Sequence, residues 1–483
     1  MITETLYDPS TGDQSKITGP YLIADAVSKR PIHTFAYDEF GRVVTAQQAD
    51  GSSLQYSYSL GSRSVTDPIG RMTTVTFDTL AEDVTVAGRL PAVYRGGTVR
   101  NAFGLVTAIY DADKNQSNIS YDGFNRKRQE LLPAADILQS GAASATFERP
   151  SISYTHDNGD RLLSRSDANG QPTTFEYDSR GRLSTTKGPD GRVVESRTYV
   201  EGGYGTRKVT VRDSRLGVDR EEHLDGLGRV WKQIAFDGTA TVTDYDSRGR
   251  AWRVTLPWGE VRTTEIQRGG LTTVATSTQA DVVAATTSTF DASGRPLTVT
   301  DADGQIITNK YDLMGRLVTT SQGKRELERR KYDSAGRPVQ LRSSGALTCL
   351  VYDSFDNVVL EERGCLDDGL SRISPEDGRG LVNVQRTYTN LNQVDTEIDG
   401  IGNKTDRAYD ALGRLVSIEV IDASSTSLGK KQFSYDAVGN ETKSIDELDY
   451  ESRSEYDVYN RLTSSNPPDQ GVSTTTYVAS PGS

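Results

Sequence analysis

Three histidines, two cysteines, three methionines and three tryptophans are all that 483 residues contain. That scarcity excludes a good deal. Two thiols cannot make the disulfide framework of a small secreted scaffold, and they form no CxxC metal site. The histidines, His33, His156 and His223, lie far apart in sequence with no HxxxH spacing and no triad-like context, so no catalytic or metal cluster is expected of them. No stretch approaches the run of about 20 apolar residues that crosses a membrane, and no membrane insertion is expected. The opening residues, MITETLYDPSTG, lack a basic region followed by an apolar core, so no signal peptide is visible. A net charge of -12 argues against a nucleic-acid partner, which would need a basic face. Mean hydropathy is -0.56, low for a well-buried globule. The aromatic and β-branched residues are nevertheless too plentiful for a disordered chain.

Glycine (45) and tyrosine (23) dominate instead, and they recur together. The template YDxxGR is met at Tyr37, Tyr121, Tyr177, Tyr245, Tyr311, Tyr332, Tyr352, Tyr409, Tyr435 and Tyr456. Degenerate copies begin at Thr66 (TDPIGR), Leu224 (LDGLGR), Phe290 (FDASGR) and Tyr388 (YTNLNQ). The steps 224 to 245, 290 to 311, 311 to 332, 388 to 409 and 435 to 456 are each 21 residues. The gaps 177 to 224 and 245 to 290 are near twice that, and each should hide a decayed copy.

Each letter has a physical reading. The aromatic closes a strand and packs on the sheet face. Asp suits the first position of a type I turn, where its carboxylate accepts from the backbone two residues on. Gly supplies a positive φ, as a type I turn followed by a G1 bulge requires. Where Gly is missing from a recognised copy, its slot holds Asn125, Asp356, Asn392 or Asn460. Those are the residue types that best tolerate the left-handed region, so backbone conformation defines the slot. The structural turn residues are therefore Tyr37, Asp38, Gly41 and Arg42; Tyr177, Asp178, Gly181 and Arg182; Tyr245, Asp246, Gly249 and Arg250; Tyr311, Asp312, Gly315 and Arg316; Tyr332, Asp333, Gly336 and Arg337; and Tyr409, Asp410, Gly413 and Arg414. Asp serves the turn and Arg braces the neighbouring turn.

After each Arg comes a β-branched stretch such as Leu317-Val318-Thr319-Thr320, then a second turn such as Asp301-Ala302-Asp303-Gly304, Asp399-Gly400-Ile401-Gly402 or Asp167-Ala168-Asn169-Gly170. The unit is a β-hairpin of about 21 residues. No segment holds a 3.6-residue apolar period, and the best helical candidate, Ala134 to Ala145, falls short of one. The chain is expected to be all-β, with roughly 20 hairpins and about 40 strands. At ~4.8 Å per strand, a continuous sheet would be ~190 Å wide, and open sheets beyond about 10 strands curl or split. A curled ribbon that encloses space is the expected architecture.

This pattern resembles the RHS/YD-repeat family, which includes bacterial Rhs polymorphic toxins, wall-associated toxin proteins, the B and C subunits of insecticidal Tc toxins, and the animal teneurins. The resemblance runs from Tyr37, with a weaker start at Tyr7, to Tyr456. It implies a single repeat array over residues 1–483 forming a spiralling β-sheet shell or an incomplete cocoon. It further implies a non-enzymatic wall around a polypeptide cargo or toxin domain, in a bacterial secretion or contact-dependent system, secreted or at the cell surface. A further repeat chain would be a second class of partner, completing the shell. The chain departs from the toxin pattern in two respects. Its nearest match to the DPxGL segment is Asp67-Pro68-Ile69-Gly70-Arg71, which reads as an ordinary turn, and no toxin domain is seen after Tyr456. The alternative reading is a surface adhesin that binds glycans through its repeated Tyr, Asp and Arg.

No catalytic residue, cofactor or metal is expected. Asp111-Ala112-Asp113-Lys114-Asn115 opens like a calcium loop, but Gln116 stands where a Gly is needed and Asp122 where a Glu is, so a repeat turn is expected there instead. Gly202-Gly203-Tyr204-Gly205 fits neither phosphate-binding glycine pattern. Residues 131–150 and 364–380 interrupt the repeat and read as inserted loops, the expected place for partner contacts. The second holds Cys365, and a disulfide to Cys349 would staple its base.

Overall fold

The computed structural model describes residues 2–21, 30–77, 81–87, 93–202, 207–267, 271–279, 282–365, 382–467 and 471–476. Among these there is no helix, and 41 strands join in one antiparallel sheet that is not closed. Strands pair in chain order. Ile306–Tyr311 pairs with Leu317–Gln322, which pairs with Arg325–Tyr332, which pairs with Pro338–Ser343. Sequences such as IITNKY and LVTTSQ explain the choice, because β-branched side chains suit a pleated surface. In such a meander successive turns fall on opposite edges. One edge carries most YD turns, the other carries turns like Asp301–Gly304.

The sheet is a single layer with little core. Accessible surface is 28444 Å², against roughly 17,600 Å² for a compact protein of this mass. Most strand residues are half-buried, and the best-covered apolar ones include Ala135, Ile137 and Leu138.

The chain divides into two units, Met1–Arg95 with Asp244–Arg386 and Gly96–Thr243 with Thr387–Ser483. In each, an early stretch of sheet meets a late stretch through turn tips. In the first unit, Arg316 reaches Asp50 at 3.3 Å, and Arg71 pairs with Asp356 at 2.8 Å and donates to the Ser354 carbonyl at 3.0 Å. In the second, Asn390 donates to Asp113 at 2.7 Å, Asn169 to Asp436 at 3.0 Å, and Asn460 to Asp167 at 3.2 Å. The partners are 266 to 293 residues apart in sequence. The copy at Thr66 explains itself here. Counting strands from Tyr37 through Val43–Gln47, Ser53–Ser59 and Ser62–Thr66 places its turn on the opposite edge, which is why Arg71 crosses to another stretch.

The insertion at 131–150 is no free loop. Ala135–Ile137 and Thr146–Glu148 form a small separate hairpin, with strand rather than helix where Ala134 to Ala145 was weighed. It packs on the late stretch of the second unit: Leu138 donates to the Tyr435 carbonyl at 2.8 Å, and Thr442 donates to the Leu138 carbonyl at 2.8 Å. Most of the second insertion, together with Gly203-Tyr204-Gly205, lies outside the described residues. Its near end does not: Cys349 and Cys365 are joined in a disulfide.

Candidate functional site: the repeated turn

At Tyr311 the turn can be followed atom by atom. Asp312 Oδ1 accepts from the N–H groups of Met314 (3.0 Å) and Arg316 (2.9 Å), and Oδ2 takes Arg316 Nε at 2.6 Å. The Asp312 N–H donates to the Arg316 carbonyl and the Gly315 N–H to the Asp312 carbonyl, both at 3.0 Å. Register slips by one residue between Lys310 and Tyr311, the bulge that this turn requires. Gly315 has φ 82°, and the four substitutes in that slot, Asn125, Asp356, Asn392 and Asn460, have φ between 60° and 68°.

Two further copies stand in the structure, the first expected as a repeat turn and the second missed by sequence reading. Tyr110 begins YDADKN, the calcium-like stretch, and is a YD turn with Lys114 in the glycine slot at φ 65°. The slot therefore admits a lysine. His156 stands where the aromatic would, 21 residues before Tyr177, with Asp157 paired to Arg161 and Asp160 in the slot at φ 62°.

Arg belongs to two turns at once. Arg316 stacks 4.9 Å over the Tyr332 ring of the next copy and donates to the Asp333 carbonyl at 3.3 Å. Tyr332 in turn donates its hydroxyl to the Leu317 carbonyl at 2.8 Å, just after Arg316. The same linkage joins Arg337 to Tyr352 (4.7 Å), Arg414 to Tyr435 (5.0 Å) and Arg161 to Tyr177 (5.1 Å). The hydroxyl bond was not foreseen, since the ring alone was read as packing. Tyrosine's frequency over phenylalanine, 23 against 11, was the available signal.

The linkage also exposes decayed copies. Tyr58 and Tyr199 keep the ring, under Arg42 at 4.5 Å and Arg182 at 4.1 Å. Twenty-one residues after Tyr245 stands Ile266, which offers Arg250 no phenol. A space of about 380 Å³ remains there, lined by Arg250, Trp252 and Ile266. Asp38, Asp178, Asp246, Asp333 and Asp410 all hold their own arginine at 2.6–2.8 Å. With carboxylates, guanidinium groups and phenols engaged on one another, these turns present few free groups to a sugar.

Placing a branched residue in the slot should be costly. Gly181→Val should lose about 1–2 kcal/mol, while Gly181→Asn should lose less than half of that. Urea unfolding checks this, and equal losses for the two variants would refute a conformational role for the slot.

Among the described residues no three His, Cys, Asp or Glu side chains group in a way that could hold a metal ion. His223 lies 2.9 Å from Glu221 and edge-on to Trp231 at 6.0 Å. His156 sits in a turn copy, and His33 lies on the strand Ile32–Tyr37.

The turn carboxylates of Asp38, Asp122, Asp157, Asp178 and Asp246 titrate low. The Arg126 guanidinium, helped by backbone N–H groups, brings Asp122 down to about 2. Arg42 and Arg161 side chains lower Asp38 and Asp157, and the Arg182 and Arg250 backbone N–H groups lead the lowering of Asp178 and Asp246. A depressed folded pKa contributes stability that is complete above the unfolded value and is lost as pH falls through the folded one. The fold should therefore hold at pH 5 and weaken from about pH 3.8 towards pH 2. Far-UV circular dichroism across that range checks this, and a transition centred above pH 5 would contradict it.

Residues 153–193 and 290–326 match the family described as RHS Repeat. Over 97% of its length the chain is similar to the crystal structure of TcdB2-TccC3, with 16% identity and a TM-score of 0.73. It is similarly related to TcdB2-TccC3 without its hypervariable C-terminal region, with 14% identity and a TM-score of 0.71. The chain spans 29% and 31% of those two chains. These likenesses establish the fold.

Proposed function

We propose that this RHS-repeat protein is a wall: a non-enzymatic section of β-sheet shell that encloses or presents a polypeptide guest, such as a toxin segment, in a secreted or surface-delivered system. The observation that carries the reading is the self-zipping of a one-layer sheet. In each unit, early turn tips seat on late YD turn tips 266 to 293 residues further along, as a ribbon returning beside itself would require. Such a construction has two solvent-facing sheet surfaces and almost no core, a poor design for a packed enzyme and a good one for a partition. The likeness to TcdB2-TccC3 supports it, because those chains contain a stretch of the same fold. A wall acts by exclusion: a guest behind it is denied proteases and partners until release.

Electron microscopy of the purified chain should show a curved or hollow wall, and a compact solid particle would refute the reading. Co-expression with the polypeptide encoded directly downstream, followed by limited proteolysis, tests enclosure. A guest cut as fast in the complex as alone would refute it.

A further inference from the structure

One strand edge in the first unit is left open in an unusual way. Val282–Phe290 pairs along residues 282–289 with Thr272–Gln279, but on its other side only residues 287–290 pair, with Pro296–Thr300. Val282 to Thr286 thus projects past the adjacent turn, a span of ~17 Å whose N–H and C=O groups on that side pair with no strand among the described residues. Val282 and Val283 are 71% and 61% exposed, and Ala284 and Ala285 are exposed too. The stretch VVAAT carries no charge, no proline and no glycine.

A second projecting strand shows what protection looks like. Among the described residues, Ser427 to Lys431 is also paired on one side only, with residues 418–421. It carries Lys430 and Lys431, which pair with Glu419 at 4.0 Å and Glu447 at 3.1 Å. The Glu447 side chain lies so close to Gly429 that a Cβ there would meet it at 2.5 Å. Charge and a covering side chain are the usual means of blunting an edge. Val282 to Thr286 carries no charge, and residues 282–285 stay exposed among the described residues.

We propose that Val282–Thr286 is a strand-addition site that takes, antiparallel like the rest of the sheet, an extended, uncharged peptide segment beginning with a basic residue. Backbone bonds to the open edge supply affinity, and small or β-branched side chains match the exposed valines and alanines. The basic end is set by Asp301 and Asp303, both exposed on the adjacent turn. A second copy of this chain fits less well. Self-pairing would leave the Asp301 and Asp303 of each copy without a basic partner across the edge, since Val282–Thr286 carries none. The proposal goes beyond the wall reading and does not depend on it.

The test uses the full chain and a C-terminally fluorescein-labelled peptide, Lys-Thr-Val-Thr-Val-Thr, followed by anisotropy. Saturable binding is expected, weakened at least about tenfold by V283K/A285K, whose side chains point to solvent and should leave folding intact by circular dichroism. The same peptide N-methylated at alternate residues should also lose about tenfold, because strand addition rests on backbone donors. Equal binding by the methylated peptide, or by the double variant, overturns the proposal, as does no binding at millimolar peptide. Self-association by light scattering that V283K/A285K abolishes, without peptide binding, overturns it in favour of a second copy.

Discussion

Arg414→Ala should destabilise the second unit by about 3 kcal/mol, while Arg250→Ala in the first unit should cost under about 1 kcal/mol. Both arginines pair with the aspartate four residues before them, so the motif alone predicts equal effects. The surroundings do not. Arg414 and Asp410 are 14% and 11% exposed, and Arg414 also caps the Asp436 carbonyl at 2.7 Å, stacks on Tyr435 and reaches the Asp136 carbonyl at 3.3 Å. Removing it strands a half-desolvated carboxylate and three further acceptors or faces. Arg250 and Asp246 are 44% and 25% exposed, and Ile266 stands at the place of the tyrosine on which the guanidinium would stack. Water replaces that arginine cheaply. Urea unfolding with hydrogen exchange at Ser427–Tyr435 measures the first effect, and a double-mutant cycle with Asp410→Asn isolates the pair. Equal losses at the two positions would show that the motif, not its neighbours, sets the energy.

The repeat was legible because its period, its turn residues and the Asn or Asp substitutes at Asn125, Asp356, Asn392 and Asn460 all report local backbone conformation. Local conformation is what sequence encodes most directly. Strand and hairpin order follow from it, since a 21-residue unit leaves little chain for anything but a meander. The His156 copy was hidden because an aspartate in the slot and an imidazole for a phenol break the text while keeping the turn, whereas Asp111–Asn115 still read as a repeat turn despite Lys114 in the slot. The seam was illegible for a different reason. Arg71 with Asp356, or Asn169 with Asp436, are ordinary turn residues whose partners lie 267 or more residues away, and nothing local marks which turn will meet which. The insertion at 131–150 misled for the same reason: a Gly-, Ser- and Pro-rich text reads as surface loop until a distant stretch covers it.

That insertion carries the second large prediction. Ile137→Ala should cost about 2–4 kcal/mol, as much as in the core of a compact globule, although this chain has almost no core. Ile137 is 1% exposed and packs in a cluster with Ala135 and Ala437. Around it the insertion is tied to the late stretch by hydrogen bonds that have a backbone group at one end or both. Besides the two Leu138 bonds, Tyr456 N–H donates to Ser140 Oγ at 3.0 Å and Arg453 to the Ala142 carbonyl at 2.9 Å. Those bonds persist only while the hairpin is held close, and the Ile137 side chain is what holds it dry. A cavity there lets water compete for each of them, so the loss should spread along the seam instead of staying local. Hydrogen exchange should accelerate at Ser427–Tyr435 and Glu441–Ile445, and stay unchanged at Ile306–Tyr311 in the other unit. Phe147→Ala, on the same hairpin but 74% exposed, should change stability by no more than about 0.5 kcal/mol. If Ile137→Ala proves as mild as Phe147→Ala, the hairpin is an appendage and the turn-tip contacts close the seam unaided. If it proves severe, one buried isoleucine on an insertion supplies what the repeat cannot, a point of dry packing in a sheet one layer thick.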